Sequence, residues 1–132
     1  MSDLIRYRSD AVPAGSLSLP FSDAVEADGW LHVSGQVGAA DGGIVPGGIV
    51  AESQQCFANI ARILTTAGYG WDDVVRVGVW LDDPRDFWLF NRVFREIFGD
   101  AAPARACVRS SMMLDCKVEV DCVAFRADRR KA

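Results

Sequence analysis

The chain has 132 residues, enough for one folded unit of ordinary size and too few for two, since domains run to roughly 100–200 residues. Half of the residues are hydrophobic and 24% are charged, a globular balance that excludes disorder as the main state. The net charge of −4 speaks against wrapping nucleic acid, which needs a basic face.

Four cysteines (Cys56, Cys107, Cys116, Cys122) lack CxxC spacing, and His32 is the sole histidine, so no structural zinc site is expected. The opening MSDLIRYRSD does not read as a secretory signal. No apolar run approaches the ~20 residues of a membrane span. A cytoplasmic location with reduced thiols, without a membrane partner, is the expectation.

Along the chain, Pro13, Gly15 and Pro20 interrupt a first third of short strands and turns. Asp28-Gly29 separates two strand-like stretches in AVEADGWLHVSGQVG, a strong hairpin signal because both positions accept φ > 0. On the second stretch Trp30, His32 and Ser34 share one face, and Leu31, Val33 and Gly35 the other. Residues 38–48 (GAADGGIVPGG) match no phosphate-binding pattern and read as a plain exposed loop.

Ser53, Cys56, Phe57, Ile60, Ile63, Leu64 and Ala67 recur at helical spacing over 50–67, and Gly68 supplies the stop. Glu52, Gln55, Asn59 and Arg62 form the polar side of that helix. Residues 74–81 alternate as a strand, with Val75, Val77, Val79 and Leu81 on an apolar face and Val74, Arg76, Gly78 and Trp80 on a mixed one. Asp83-Pro84 opens a second helix, Asp83 as cap and Pro84 in the first turn. Its aromatic stripe (Phe87, Phe90, Phe94, Phe98) reads as core, and Gly99 ends it.

Two strand-like runs close the chain, 105–111 and 116–125, around a turn at 112–115. Arg105, Cys107 and Arg109 point one way on the first; Lys117, Glu119 and Asp121 share a face on the second. If the runs pair as a hairpin, Arg105 and Cys107 lie opposite or diagonal to Glu119 and Asp121. A guanidinium that grips carboxylates would then stand beside a carboxylate able to hold water. The same alternation also describes a solvated face with cross-strand ion pairs worth about 0–1 kcal/mol each. Two helices with one apolar face each cover one side of a sheet, leaving the side with Arg76 and Trp80 either solvated or buried against other subunits.

The segments LPFSDAV, LHVSGQVG, QQCFANIARILTTAG, VVRVGVWLDDPRDFWLFNRVFREIFG, PARACV and KVEVDCVAF, in this order, resemble the RidA (YjgF/YER057c/UK114) family over about residues 18–125. The resemblance implies an α+β, chorismate-mutase-like single domain over 1–132: a mixed sheet with two helices on one face, assembled as a homotrimeric barrel with active sites at subunit interfaces. It implies hydrolysis of reactive enamines and imines, of the 2-aminoacrylate and 2-iminopropanoate type, to 2-keto acids and ammonia, with no metal or organic cofactor.

By position, Arg105 would bind the substrate carboxylate. Glu119 would place the attacking water with a backbone carbonyl near Cys107. Phe21, Ser34, Gly35 and Asn91 would line the pocket. Phe21 stands where the family's PYS motif has tyrosine, and Asp23 where a glutamine-like residue is usual, which bears on substrate and rate. The alternatives are a non-catalytic keto-acid sensor on the same pocket and, with less support from this acidic chain, a ribonuclease. A His32–Ser34 hydrolase pair lacks the GxSxG elbow. Cys107 is read as pocket wall rather than nucleophile, the other cysteines as buried small hydrophobes, and the tail RADRRKA as a solvated end.

Overall fold

The computed structural model describes residues 3–9 and 19–131; Pro13 and Gly15 lie outside them. Strand β1 (Ile5–Tyr7) pairs with β2 (Ala24–Ala27), and β2 with β3 (Trp30–Val37), both antiparallel. Asp28 (φ 47°) and Gly29 (φ 87°) make the β2–β3 turn in the left-handed region, as two-residue hairpins prefer.

A second Asp-Gly does the same inside the Gly-rich stretch. Asp41 (φ 53°) and Gly42 (φ 85°) join two short strands, β4 (Ala39–Ala40) and β5 (Gly43–Ile44). The segment is therefore not the plain loop expected: its flanking glycines masked the same turn signal.

Helix α1 (Gly48–Ala67) ends at Gly68 (φ 85°), whose N–H donates to the carbonyls of Leu64 and Thr65. Its apolar side buries Cys56, Phe57, Ile60 and Leu64. The polar side is not solvated throughout. Glu52 and Asn59 are buried and tie the helix to the sheet. Glu52 Oε1 accepts from the Lys117 backbone N–H (2.8 Å), and Asn59 Nδ2 donates to the carbonyls of Val37 and Ala39 (3.1 Å each). Gly38 is needed here, because a Cβ on it would stand 2.5 Å from the Glu52 carbonyl oxygen.

Strand β6 (Val74–Leu81) follows, with Val77, Val79 and Leu81 buried. An irregularity between Val74 and Arg76 reverses the expected alternation at its start: Val74 is buried and Val75 exposed. Asp83 then accepts from the Arg85 N–H (2.8 Å), opening a 3-10 turn (Pro84–Asp86) that leads into α2 (Phe87–Phe98). Phe90, Phe94 and Phe98 of α2 pack around Phe57 of α1, ring centroids 5.9–6.3 Å apart, so the aromatic stripe is core as expected.

The last strands, β7 (Ala104–Arg109) and β8 (Val118–Phe125), are not a hairpin. The sheet order is β1-β2-β3-β8-β6-β7, with β7 parallel to β6 at the edge and β8 antiparallel between β3 and β6. The cause is the crossover. A strand–helix–strand unit returns its second strand parallel beside its first, so α2 delivers β7 to β6 and leaves the slot on the other side of β6 for β8. Helices α1 and α2 cover one face of this mixed sheet.

The opposite face carries Trp30, His32, Arg76, Trp80, Glu119, Asp121 and Val108. Trp30 and Val108 are 43% and 49% exposed. The tail is largely exposed, as expected, and is also held by ion pairs. Arg129 pairs with buried Glu26 (2.8 Å), Arg130 with Asp28 (3.5 Å) and Lys131 with Asp3 (2.7 Å). The carboxylates that hold the tail come from β2, its turn and the chain start, too far away in sequence to be seen locally.

Candidate active site

The residues singled out by sequence fall into two groups on opposite sides of the sheet. Arg105 lies beside Val77 in the β6–β7 register, and Cys107 beside Val79, so both point toward the helices. Glu119 lies beside Trp80, flanked in sequence by the buried Val118 and Val120, so it points to the uncovered face. Arg105 and Glu119 of one chain therefore do not face a common ligand, and the cross-strand juxtaposition expected from a terminal hairpin is corrected. Strand β6 stands between them, and the parity of the two strands turns their side chains apart.

The first group is built around Arg105. Its guanidinium carbon lies 4.8 Å from the ring centroid of Phe94, 5.7 Å from Phe87 and 5.8 Å from Phe90. Cation–π contact of this kind holds a guanidinium without consuming its hydrogen-bond donors. Among the described residues no carboxylate or carbonyl pairs with it, whereas Arg85, Arg126, Arg129 and Arg130 all have ion-pair partners. Arg105 thus presents an uncommitted fork of N–H groups on the edge strand, a shape that matches a carboxylate.

Asn91 shares the α2 face with Phe87 and Phe94, one turn from each, and its Oδ1 is buried without a hydrogen-bond partner among the described residues. Cys107 opens onto an adjoining hollow of about 250 Å³, with Leu81, Phe87 and Trp88. Burial pushes the Cys107 thiol up, and the nearby Arg105 only partly offsets it. That environment favours the thiol over the nucleophilic thiolate, in keeping with a wall role.

The second group meets in a cavity of about 670 Å³ at the end of β3 and the start of β8. Phe21, Ser34, Gly35 and Glu119 all line it, as does Asp23. Burial first, and the Asp121 carboxylate second, push the Glu119 carboxyl above its ordinary value. Asp121 is itself raised by burial, although the Gly78 N–H donates to it (3.1 Å) and Arg76 opposes the shift.

Gly35 gives Glu119 its berth: a Cβ on Gly35 would stand 2.6 Å from Glu119 Oε2. Ser34 acts on the cavity from behind. Its hydroxyl donates to the Ser22 carbonyl (2.6 Å) and its N–H to the Asp23 carbonyl (2.9 Å), fixing the segment that carries Phe21. With its proton committed there, Ser34 does not form a His32–Ser34 catalytic pair. Cys56, Cys116 and Cys122 are buried, and burial pushes the Cys122 thiol up to about 12.

Sequence reasoning missed Met113 and Leu114, which also line this cavity. Their position in the connection before β8 carried no periodic signal. Among the described residues no helix is long and apolar enough to cross a membrane, and no cluster of His, Cys, Asp or Glu is placed to hold a metal ion.

A raised carboxylate in a cavity and a free guanidinium on a sheet edge are the parts needed to hold an anion and direct a water at it. Known proteins share this fold. The family described as Endoribonuclease L-PSP matches residues 14–126. The mouse protein named 2-iminobutanoate/2-iminopropanoate deaminase is 34% identical over 135 aligned residues, covering 100% of both chains. Fission yeast "Protein mmf1, mitochondrial" is 33% identical over 117 residues, 86% of this chain and 72% of that one. Among solved structures, RidA from the Antarctic bacterium Psychrobacter sp. PAMC 21119 superposes with a TM-score of 0.82 at 29% identity, covering 92% of this chain and 99% of that one.

Proposed function

The chain belongs to the RidA (YjgF/YER057c/UK114) family, and from that premise we propose that it is a hydrolytic deaminase of 2-imino carboxylates whose active site is completed between two copies of the chain. Arg105 of one copy binds the substrate carboxylate through its two-pronged fork. Glu119 of the neighbouring copy holds a water against the C=N carbon.

As the water oxygen bonds to that carbon of the protonated imine, the C=N π pair moves to nitrogen, and Glu119 takes a proton from the water. Glu119 hands that proton to the carbinolamine nitrogen, the C–N bond breaks with its electron pair leaving on ammonia, and the carbinol O–H proton passes back through Glu119 to the ammonia as the oxygen closes to the C=O of the 2-keto acid. No redox step and no co-substrate besides water is needed. A carboxylate raised above its ordinary range is a stronger base and a more available acid near neutral pH, which is what this relay requires. Glu119 must be ionised to begin it.

The observation that carries the proposal is the pairing of opposites. Arg105 is a free guanidinium and Glu119 a raised carboxylate, and they occupy opposite faces of one sheet. Both can act on one small molecule only if a second copy supplies the missing half. The exposed Trp30 and Val108 on the uncovered face fit burial against such copies, and a homotrimer is the assembly proposed. The net charge of −4 weighs against a polyanion such as RNA as substrate. A cytoplasmic location, inferred from four free thiols, is part of the same proposal.

The test generates imines with an L-amino-acid oxidase and follows their decay against semicarbazide trapping. The pure protein should accelerate decay, and Glu119→Ala should abolish the acceleration. Saturable 2-keto-acid binding with no acceleration would replace the enzyme with a metabolite-binding protein.

A further inference from the structure

The cavity beside Glu119 is unlike the rest of the surface. Leu19, Phe21, Val37, Ala39, Met113 and Leu114 make its wall. Four of these are large apolar side chains held out in solvent: Leu19 is 65% exposed, Phe21 49%, Leu114 56% and Met113 99%. A contiguous apolar wall left open to water marks a binding surface. At about 670 Å³ the hollow is in the size range that encloses drug-sized ligands, roughly 300–1,000 Å³. A three-carbon imino acid held at Glu119 has no side chain long enough to cover this wall.

We infer that this wall selects 2-imino acids with a large apolar side chain, of leucine or phenylalanine size, over the small two- and three-carbon kinds. The inference rests on the reading of the site given above and specifies its substrate. The occupant is a ligand side chain because Glu119 opens into the same hollow, so a substrate whose C=N carbon meets the water on Glu119 carries its side chain along this wall. A ligand with a polar head and an apolar tail matches both parts of the lining. Phe21 contributes to this preference, since the phenyl ring presents no hydroxyl that would need a partner when covered.

The test is calorimetric binding of a 2-oxo acid series to the full chain: pyruvate, 2-oxobutanoate, 2-oxopentanoate and 4-methyl-2-oxopentanoate. Burying a methylene should tighten Kd about fourfold per step, and the longest acid should bind on the order of fifty times more tightly than pyruvate. Met113→Asp and Leu114→Asp, both at exposed positions that the fold does not need, should flatten that slope. A Kd that does not tighten with chain length, or a slope that survives both substitutions, overturns the inference. Imine hydrolysis measured on the same samples reports separately on the deaminase reading. A steep binding slope without turnover would overturn that reading and leave the apolar selectivity standing.

Discussion

Removing the Arg105 guanidinium should separate two jobs that the side chain performs. In the fold it sits against three rings, with centroids 4.8–5.8 Å from its Cζ. Partly exposed cation–π contacts are worth about 0.5–1 kcal/mol each and overlap here, so Arg105→Ala should lose about 1–2 kcal/mol of stability. For a chain of this length that corresponds to a melting temperature about 3–8 °C lower. In the proposed site the guanidinium is the sole anchor of the substrate carboxylate. Truncating one side of a shielded, hydrogen-bonded charge pair costs about 2–5 kcal/mol, a loss of roughly 30-fold to several thousandfold in affinity.

Arg105→Met keeps an unbranched stem against Phe94 and should recover part of the melting temperature with none of the affinity. Arg105→Lys restores the charge without the planar fork and should fall between. Differential scanning calorimetry and 2-keto-acid titration on the same samples give both numbers. If Arg105→Ala melts lower yet binds 2-keto acids as wild type does, Arg105 is a packing residue, and the carboxylate is held elsewhere.

Glu119→Gln should lower imine turnover by about 10²–10⁴-fold, the usual worth of general acid–base help. It should also stabilise the fold at pH 7. Burial and Asp121 raise the folded-state pKa of Glu119, so its stabilising contribution is complete below the ordinary glutamate value and is lost as pH rises through the folded one. The melting-temperature advantage of the variant should therefore vanish below about pH 4, and a Glu119→Gln protein less stable than wild type at pH 7 would contradict it. Glu52→Ala should strip the Lys117 N–H of its acceptor and cost about 1–3 kcal/mol, while Glu52→Gln, which keeps an oxygen in place, should cost less. Thermal melts of the two decide this, and equal losses would remove the hydrogen bond from the explanation.

Much of the fold is legible in the sequence where the signal is local. Asp28-Gly29, Gly68 and Asp83-Pro84 each specify a backbone geometry by themselves, and the structure uses all three. The aromatic stripe of α2 is core because four rings at helical spacing leave few other ways to be dry. Strand partnership is not local. Arg105 and Glu119 could be assigned faces within their own strands, but which strand lies between them depends on the crossover through α2.

Reading the sequence β–α–β as a parallel return would have placed β7 against β6 and exposed the opposition of the two residues. What the polar side of α1 does is hidden for a related reason. Glu52 and Asn59 look solvated by composition, and only the carbonyls and the N–H at the ends of β3 and β8 reveal what they serve. Two of the tail's arginines, Arg129 and Arg130, likewise find their acids about a hundred positions away.

The central claim is that each site draws its guanidinium and its carboxylate from different copies. Mixing Arg105→Ala and Glu119→Gln chains tests it most directly, by co-unfolding and refolding them at equal concentration and assaying imine hydrolysis. Each variant alone is strongly impaired, by the amounts given above. In a closed ring of head-to-tail contacts, a random mixture gives about one interface in four with an intact arginine facing an intact glutamate, so about a quarter of wild-type activity should return. Activity that stays at the level of the separate variants, in mixtures shown to contain hybrid oligomers, would mean that a single chain supplies both groups, and the two-copy site would be wrong.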